Sequence, residues 1–377
     1  MAEAPKGLPW EIRSDRDDAL SSRTICAMTV LVTGGAGYIG SHVCVRLLEA
    51  GADVLVVDDF SNARPDVLDR VEKIAGHRPR VVKVDVCDYP AFVQAVESER
   101  LTGVIHLAGL KSVSDSVRDP LRYYRANLIG TMNAREVAGD CPFVFSSSAT
   151  VYGEPERCPL SEDAKTAPLN PYGFSKLASE RCLIDASAAA GSPLAILRYF
   201  NPVGAHSSGF IGDDPQGTPQ NLMPLIEQVA VGRIADLTIH GADYPTRDGT
   251  AIRDYVHVED LADAHILALR ARAKASDPLI VNLGSARGHS VREVIEGFQC
   301  ATGRRIACQV GPRRAGDAAE LWASAARAKA LLNWEAQRTL AQMCQDSLRW
   351  REYWCEHLQQ HSIDRGDSER SRFVTAA

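Results

Sequence analysis

Short β-branched runs that alternate with helical stretches predict an α/β fold built on a doubly wound parallel sheet. Two further observations extend that reading. Glycines cluster directly after the first strand run, and after Asn201 the alternation loosens into a region rich in Gly, Pro and Asp. A chain of 377 residues exceeds one average domain, which suits a nucleotide domain with a smaller, interleaved α/β lobe.

Residues 1–27 are polar, of mixed charge, and carry Pro5 and Pro9 without a periodic apolar face. A disordered extension is expected there, with Met28 as a candidate functional start. Strand runs follow at 29–33, 54–57, 81–84, 104–107, 143–146 and 194–197. Ile39, Val43 and Leu47 recur at four-residue spacing, and Gly51 is placed to end their helix. Residues 177–190 hold strong helix formers and stop at Gly191. The Gly, Pro and Asp clusters at 212–217 and 244–249 are of the kind that shape a binding cleft. A return strand near 255–258 is expected to rejoin the sheet. The expected division is a nucleotide domain of 28–203 plus about 251–283, a second lobe of 204–250 plus about 284–355, and a flexible tail over 356–377.

The formal net charge of -6, with both signs interspersed, lacks the basic surplus of a nucleic-acid binder. No apolar run reaches the roughly 18 residues of a membrane span, and residues 1–28 lack a signal-peptide core, so a cytoplasmic protein is expected. The ten cysteines include no pair at the two-residue gap of zinc knuckles and read as reduced, structural thiols. The ten histidines are scattered, with His257 and His265 too far apart for a one-turn zinc motif, so no metal site is expected.

Gly34, Gly37 and Gly40 directly follow the first strand and open the Ile39 helix. Glycine is required there because the chain turns sharply and its N–H groups must approach a pyrophosphate at the positive helix end. Asp58 ends the second strand, where a carboxylate accepts hydrogen bonds from the adenosine ribose hydroxyls and repels a 2′-phosphate. NAD is therefore expected rather than NADP. FAD uses the same fingerprint, so the glycines name a dinucleotide and not a chemistry.

The chemistry is read from three other residues. Tyr172 and Lys176 lie one helical turn apart after Asn170 and Pro171, on one face of the helix. A free phenol titrates near ~10, so a tyrosine base at neutral pH needs a cation nearby, and Lys176 is placed to supply it. The same lysine is suited to bind the nicotinamide ribose. Ser146, Ser147 and Ser148 close a strand run at the end from which parallel sheets present ligand groups, and Ser148 is the candidate proton relay. Taken singly, each of these residues is more simply an amphipathic tyrosine, a solvated lysine or a turn serine; the glycines upstream favour the functional reading.

Gly-x-x-Gly-x-x-Gly, a strand-end serine and Tyr-x-x-x-Lys occur here in that order, and in this the chain resembles the extended short-chain dehydrogenase/reductase family. Three longer stretches, 145–153, 197–206 and 253–258, are similar to the UDP-glucose 4-epimerases of the bacterial galactose pathway, and the similarity runs from about residue 28 to 350. The resemblance implies an NAD shell of Tyr38, Ile39, Asp58, Asp59, Phe60, Ser61, Asn62, Ala63, Asp85, Val86, Leu107, Ala108, Gly109, Leu110, Lys111, Asn127 and Phe200, together with Ser148, Tyr172 and Lys176. It implies UDP-sugar contacts from Asn201, Asn221, Leu222, Thr238, Ile239, His240, Arg253, Arg314 and Asp317, with Lys111, Ser148 and Tyr172 facing both ligands. Arg253 and Arg314 are also sensible pyrophosphate clamps on chemical grounds, since a guanidinium pairs two oxygens at once and stays charged; alone, each would be a surface ion pair. A homodimer is implied by resemblance only.

The expected reaction is interconversion of UDP-glucose and UDP-galactose through a 4-keto sugar, with NAD as retained catalyst and Tyr172 as base. Phe174, Ala126 and Ala315 depart from the commonest family pattern without removing a chemical role. Leu321 stands where the family uses side-chain size to admit or exclude an N-acetyl group, which leaves a 4-epimerase for UDP-N-acetylglucosamine or a UDP-pentose as the alternative. A 4,6-dehydratase would need an acidic pair where this chain has Ala149 and Thr150. An inactive NAD sensor is disfavoured by the joint presence of Ser148, Tyr172 and Lys176.

Overall fold

The computed structural model describes residues 29–215, 219–272, 277–314 and 317–358. The expected N-terminal extension, the tail from 359, Ala315 and part of the 212–217 loop lie outside the described residues. The strands are β1 (Thr29–Thr33), β2 (Asp53–Asp58), β3 (Arg80–Lys83), β4 (Leu101–His106), β5 (Phe143–Ser148), β6 (Leu194–Tyr199) and β7 (Asn201–Val203). They continue with β8 (Leu237–His240), β9 (Ile252–His257), β10 (Leu279–Leu283), β11 (Gly288–Ser290), β12 (Cys308–Gly311) and β13 (Glu320–Leu321). The helices are α1 (Tyr38–Glu49), α2 (Val67–Ala75), α3 (Tyr89–Val96), α4 (Val113–Arg118), α5 (Pro120–Tyr124) and α6 (Gly130–Ala138). After them come α7 (Pro171–Ala190), α8 (Leu222–Ala230), α9 (Val258–Arg272), α10 (Val291–Thr302), α11 (Ala326–Leu332) and α12 (Leu340–His357).

Seven parallel strands in the order β10-β6-β5-β4-β1-β2-β3 form the large sheet. The doubly wound α/β fold read from the sequence is the fold observed. Strand alternation decides what each face buries. Val30, Val32, Val54 and Val56 pack with Val43 and Leu47 of α1 and Leu261 and Leu269 of α9. Leu31, Leu55 and Val57 point the other way, onto Phe92 of α3, Ala134 of α6 and Leu183 of α7. A sheet buried on both faces needs such unbroken apolar runs. Fully burying each Leu or Val is worth about 1.5–3 kcal/mol.

The strand near 255 does not rejoin this sheet. It is β9, which pairs with β7, β11 and β13 in a second sheet. Its apolar residues specify burial, and burial alone does not say in which sheet. The chain returns through α9, which starts at Val258 directly after β9 and packs beside α1, and β10 then lies parallel to β6. A separate pair, β8 and β12, is also parallel.

Strand order reverses between β1 and β4, so the carboxyl ends of these two strands open a crevice at the topological switch point. Local chemistry aims α7 at the same crevice. The Asn170 side chain accepts from Gly173 N at 2.9 Å as N-cap, Pro171 occupies the first turn, and Gly191 ends the helix in the left-handed region at φ 64°.

Candidate active site

The turn from β1 into α1 forms a cradle closed to any side chain. Gly34 adopts φ 71°, and a Cβ there would stand 2.7 Å from the Ala108 amide; a Cβ at Gly40 would overlap the Gly34 carbonyl oxygen. Gly37 caps α1 without a side-chain acceptor, and no acidic residue occupies the first turn. The N–H groups of that turn face the crevice with a positive helix end behind them. Asp58, 8% exposed, accepts from Ala36 N at 3.0 Å through one oxygen and from Phe60 N at 2.9 Å through the other. Burial raises its pKa, and those two amides oppose the rise. Each oxygen keeps a lone pair for a ribose hydroxyl. The cradle and carboxylate therefore fit a dinucleotide.

Around them lie the other residues expected in this shell. Asp59 accepts from Ser61 N and from the Ser61 hydroxyl at 2.8 and 2.7 Å, and Asn62 and Ala63 of the same loop line the cavity at the cradle. The Tyr38 hydroxyl donates to Gly204 O at 2.6 Å, and Ile39 packs on the core. Asp85 caps the turn at Cys87 N, while Val86 is buried against Gly130. Leu107 and Ala108 continue β4 past its end by donating to Thr33. Gly109 sits between Asn127 and Lys176, at φ 152°. Asn127 stands behind this loop: it accepts from Leu110 N at 2.8 Å and donates to Leu110 O at 3.1 Å and to Ser175 Oγ at 2.9 Å. Its position on a π-helical turn, Arg125–Ile129, lets it do so.

The three serines ending β5 divide their work. The Ser146 hydroxyl shares a 3.2 Å hydrogen bond with His265, and its carbonyl accepts from Lys176 Nζ at 2.9 Å. Ser147 bonds Glu180, the partner of Arg198 in a buried ion pair at 2.6 Å. The Ser148 hydroxyl accepts from Thr150 Oγ1 at 3.0 Å and is hydrogen-bonded to Tyr172. Ser148, Tyr172 and Lys176 thus gather at the end of β5, each less than a tenth exposed.

Burial pushes the Lys176 ammonium down to about 8, with Glu180 partly offsetting it. Burial also raises the Tyr172 phenol, more than the Ser148 hydrogen bond lowers it. This differs from the expectation that Lys176 would hold the phenol down. The ammonium donates to the Ser146 carbonyl, and burial is the larger influence on the phenol.

On the opposite side the substrate candidates are spread over β7, β8, β9, β13 and the start of α8. Asn201 starts β7, paired with Tyr255, and Phe200 is buried beside Ala149, with Leu321 packed against the same cluster. Leu321 pairs with Arg253 across β13 and β9. Arg253 reaches Asp317 at 3.4 Å. Asn221 and Leu222 open α8, while Thr238, Ile239 and His240 lie on β8, in a different sheet from the catalytic group. Gln220 bridges the two sides: its side chain accepts from Ser114 Oγ at 2.6 Å, and its carbonyl accepts from Arg314 at 3.4 Å.

Sequence reasoning missed the scaffold behind the site. Arg198 also donates to the Tyr152 hydroxyl, which donates to Asn282 at 2.7 Å. Thr33, His106 and Thr131 form a second buried chain, with spacings of 2.7 and 3.1 Å. An arginine directly after the strand run at 194–197, and a glutamate one turn beyond Lys176, were the available signals.

The model of the NAD dependent epimerase/dehydratase family matches residues 30–284. The UDP-glucose 4-epimerase of Bacillus subtilis (strain 168) is 47% identical over 86% of this chain and 96% of its own length. A crystal structure of UDP-glucose 4-epimerase from Stenotrophomonas maltophila, with bound NAD and formylated UDP-arabinopyranose, has a TM-score of 0.85 at 44% identity and covers 87% of this chain and 99% of its own. That of Bifidobacterium longum, in complex with NAD+ and UDP, has a TM-score of 0.83 at 41% identity, over 88% and 99%. The chain belongs to the NAD dependent epimerase/dehydratase family.

Proposed function

We propose that this chain is an NAD-dependent isomerase, a UDP-sugar 4-epimerase that interconverts UDP-glucose and UDP-galactose in galactose metabolism. The observation that carries the reading is the meeting of Ser148, Tyr172 and Lys176 beside the glycine cradle, with Ala149 and Thr150 where elimination would need two acids. The names of the similar proteins support the choice of sugar. NAD, which the cradle and Asp58 would hold, would supply a two-electron acceptor and donor at sugar C4.

Tyr172, as phenolate, removes the proton of the sugar 4-hydroxyl through or beside Ser148, and returns it after the 4-keto sugar has turned over. Lys176 holds the cofactor ribose and adds positive charge near the phenolate as it forms. Arg253 and Arg314 anchor the diphosphate, and Asn201, Asn221, Leu222 and the β8 edge hold the rest of the nucleotide. Anchoring at the diphosphate leaves the hexose free to present either face, which the mechanism requires. The nucleotide domain runs from β1 to β6 and resumes through α9, β10 and α11, and the remaining elements form the UDP-sugar lobe.

Val117, Leu121 and Phe174 are exposed on α4, α5 and α7, three helices in mutual contact, and supply apolar surface suited to a second copy in a homodimer. No helix among the described residues is long and apolar enough to cross a membrane, and the cysteines described are free thiols, in keeping with a cytoplasmic protein. A second reading, 4-epimerisation of a UDP-pentose, is favoured by the arabinopyranose ligand of the Stenotrophomonas relative.

Purified protein incubated separately with UDP-galactose and UDP-N-acetylgalactosamine, without added NAD, tests the reading. Appearance of UDP-glucose from the first is expected. Conversion of neither, even after NAD is added, would overturn it.

A further inference from the structure

Residues 212–215 line a cavity at the dinucleotide cradle, together with Ala36, Gly37 and Ser41 at the start of α1. Two ion pairs fasten the segment. Asp213 meets Lys111, from the loop after β4, at 3.3 Å, and Asp214 meets Arg64, from the loop after β2, at 3.2 Å. The second pair is largely withdrawn from water, with side chains 23% and 18% exposed.

The outer side of the segment rests on α12. The indole N–H of Trp350 donates to the Asp213 carbonyl at 3.2 Å, and Gly212 lies against the same ring, with no room for a Cβ. Arg70 of α2 also lines the cavity, stacked over the Trp350 ring at 5.8 Å, with its buried Nε unpartnered. Two carboxylates beside a diphosphate would repel it. Here each is neutralised by a cation from the nucleotide domain, and Arg70 is itself paired with Asp66 at 3.0 Å, so this wall carries no excess negative charge.

We propose that residues 212–215 are a strap latched by Arg64–Asp214 and Lys111–Asp213, and that this latch holds the dinucleotide in the protein between turnovers. Arg64 and Asp214 are positioning residues: they act on cofactor retention through the strap and not on the sugar. The inference rests on the dinucleotide part of the proposed function, and it survives if the sugar assignment fails.

The test measures NAD released on denaturing purified protein, and the rate at which bound NAD exchanges with labelled NAD. Arg64→Ala and Asp214→Asn are each expected to exchange about tenfold faster than the parent and to lose NAD on dialysis, as the breaking of one part-buried ion pair implies. With saturating NAD their turnover should match the parent. The exchanged pair Arg64→Asp with Asp214→Arg should restore slow exchange to within about threefold. Circular dichroism melting separates loss of the latch from loss of the fold, and Asp214→Asn serves if Arg64→Ala does not fold. Single variants that retain NAD as the parent does would overturn the latch. So would a charge-swapped protein that exchanges as fast as the singles.

Discussion

At the switch point of the large sheet, buried Asp58 and Asn127 bind backbone groups at 2.8 to 3.1 Å, whereas across the cleft Arg253 and Arg314 reach their longer-range partners at 3.4 Å. The nucleotide side is preorganised: its polar atoms are oriented by backbone before a ligand arrives, so little reorganisation accompanies binding. The opposite side carries charged side chains on separate elements, and their longer-range contacts are looser. A retained cofactor suits the first design, and a substrate that must come, turn and leave suits the second.

The comparison can be broken most severely at the base. Tyr172→Phe is expected to lower kcat by about 10²–10⁴ while NAD stays bound, read by steady-state turnover and by NAD released on denaturation. Turnover within a few-fold of the parent would remove Tyr172 from its role. Next, Glu180→Ala leaves Arg198 buried and uncompensated, and chemical denaturation should record a loss of about 3–5 kcal/mol. A loss below about 1 kcal/mol would mean the strand end does not depend on this pair. Arg253→Ala should act on the other side alone, raising KM for UDP-galactose by about tenfold to a hundredfold with NAD content unchanged.

A pH effect follows from Lys176. Its folded pKa of about 8 lies below the ordinary lysine value of about 10.4. Between those values the folded state binds fewer protons than the unfolded state, so stability increases with pH across that window. The cost of the buried ammonium is full below pH 8 and is relieved as pH rises toward 10.4. The stability gap between Lys176→Met and the parent should therefore narrow from pH 7.5 to pH 9.5, by chemical denaturation at each pH; a constant gap would contradict the burial argument. The smallest effect is expected at Leu321, where Leu321→Ala should raise the ratio of activity on UDP-N-acetylgalactosamine to that on UDP-galactose by about tenfold. An unchanged ratio would place the selectivity elsewhere in the pocket.

The same division explains what could be read from sequence. Gly34, Gly37, Gly40 and Asp58 work through local spacing, on one strand, one turn and the next strand end, and the sheet places them as the spacing implies. Tyr172 and Lys176 share a helical turn and were legible for the same reason. The strand at 252–257 was recognised but assigned to the wrong sheet, because its pairing with β7, β11 and β13 is a long-range choice that alternation does not encode. Asn127 was expected in the shell, yet its service to Leu110 and Ser175 depends on a π-helical turn with no composition signal. Glu180 and Arg198 became one unit only when α7 packed beside β5 and β6.

The central claim is that one hydrogen leaves C4 and returns to C4 without escaping the protein, and it is tested by turning over UDP-galactose deuterated at C4 with no added NAD. The account predicts UDP-glucose that retains the label at C4. Epimerised product with the label lost to solvent or to an added NAD pool would contradict it.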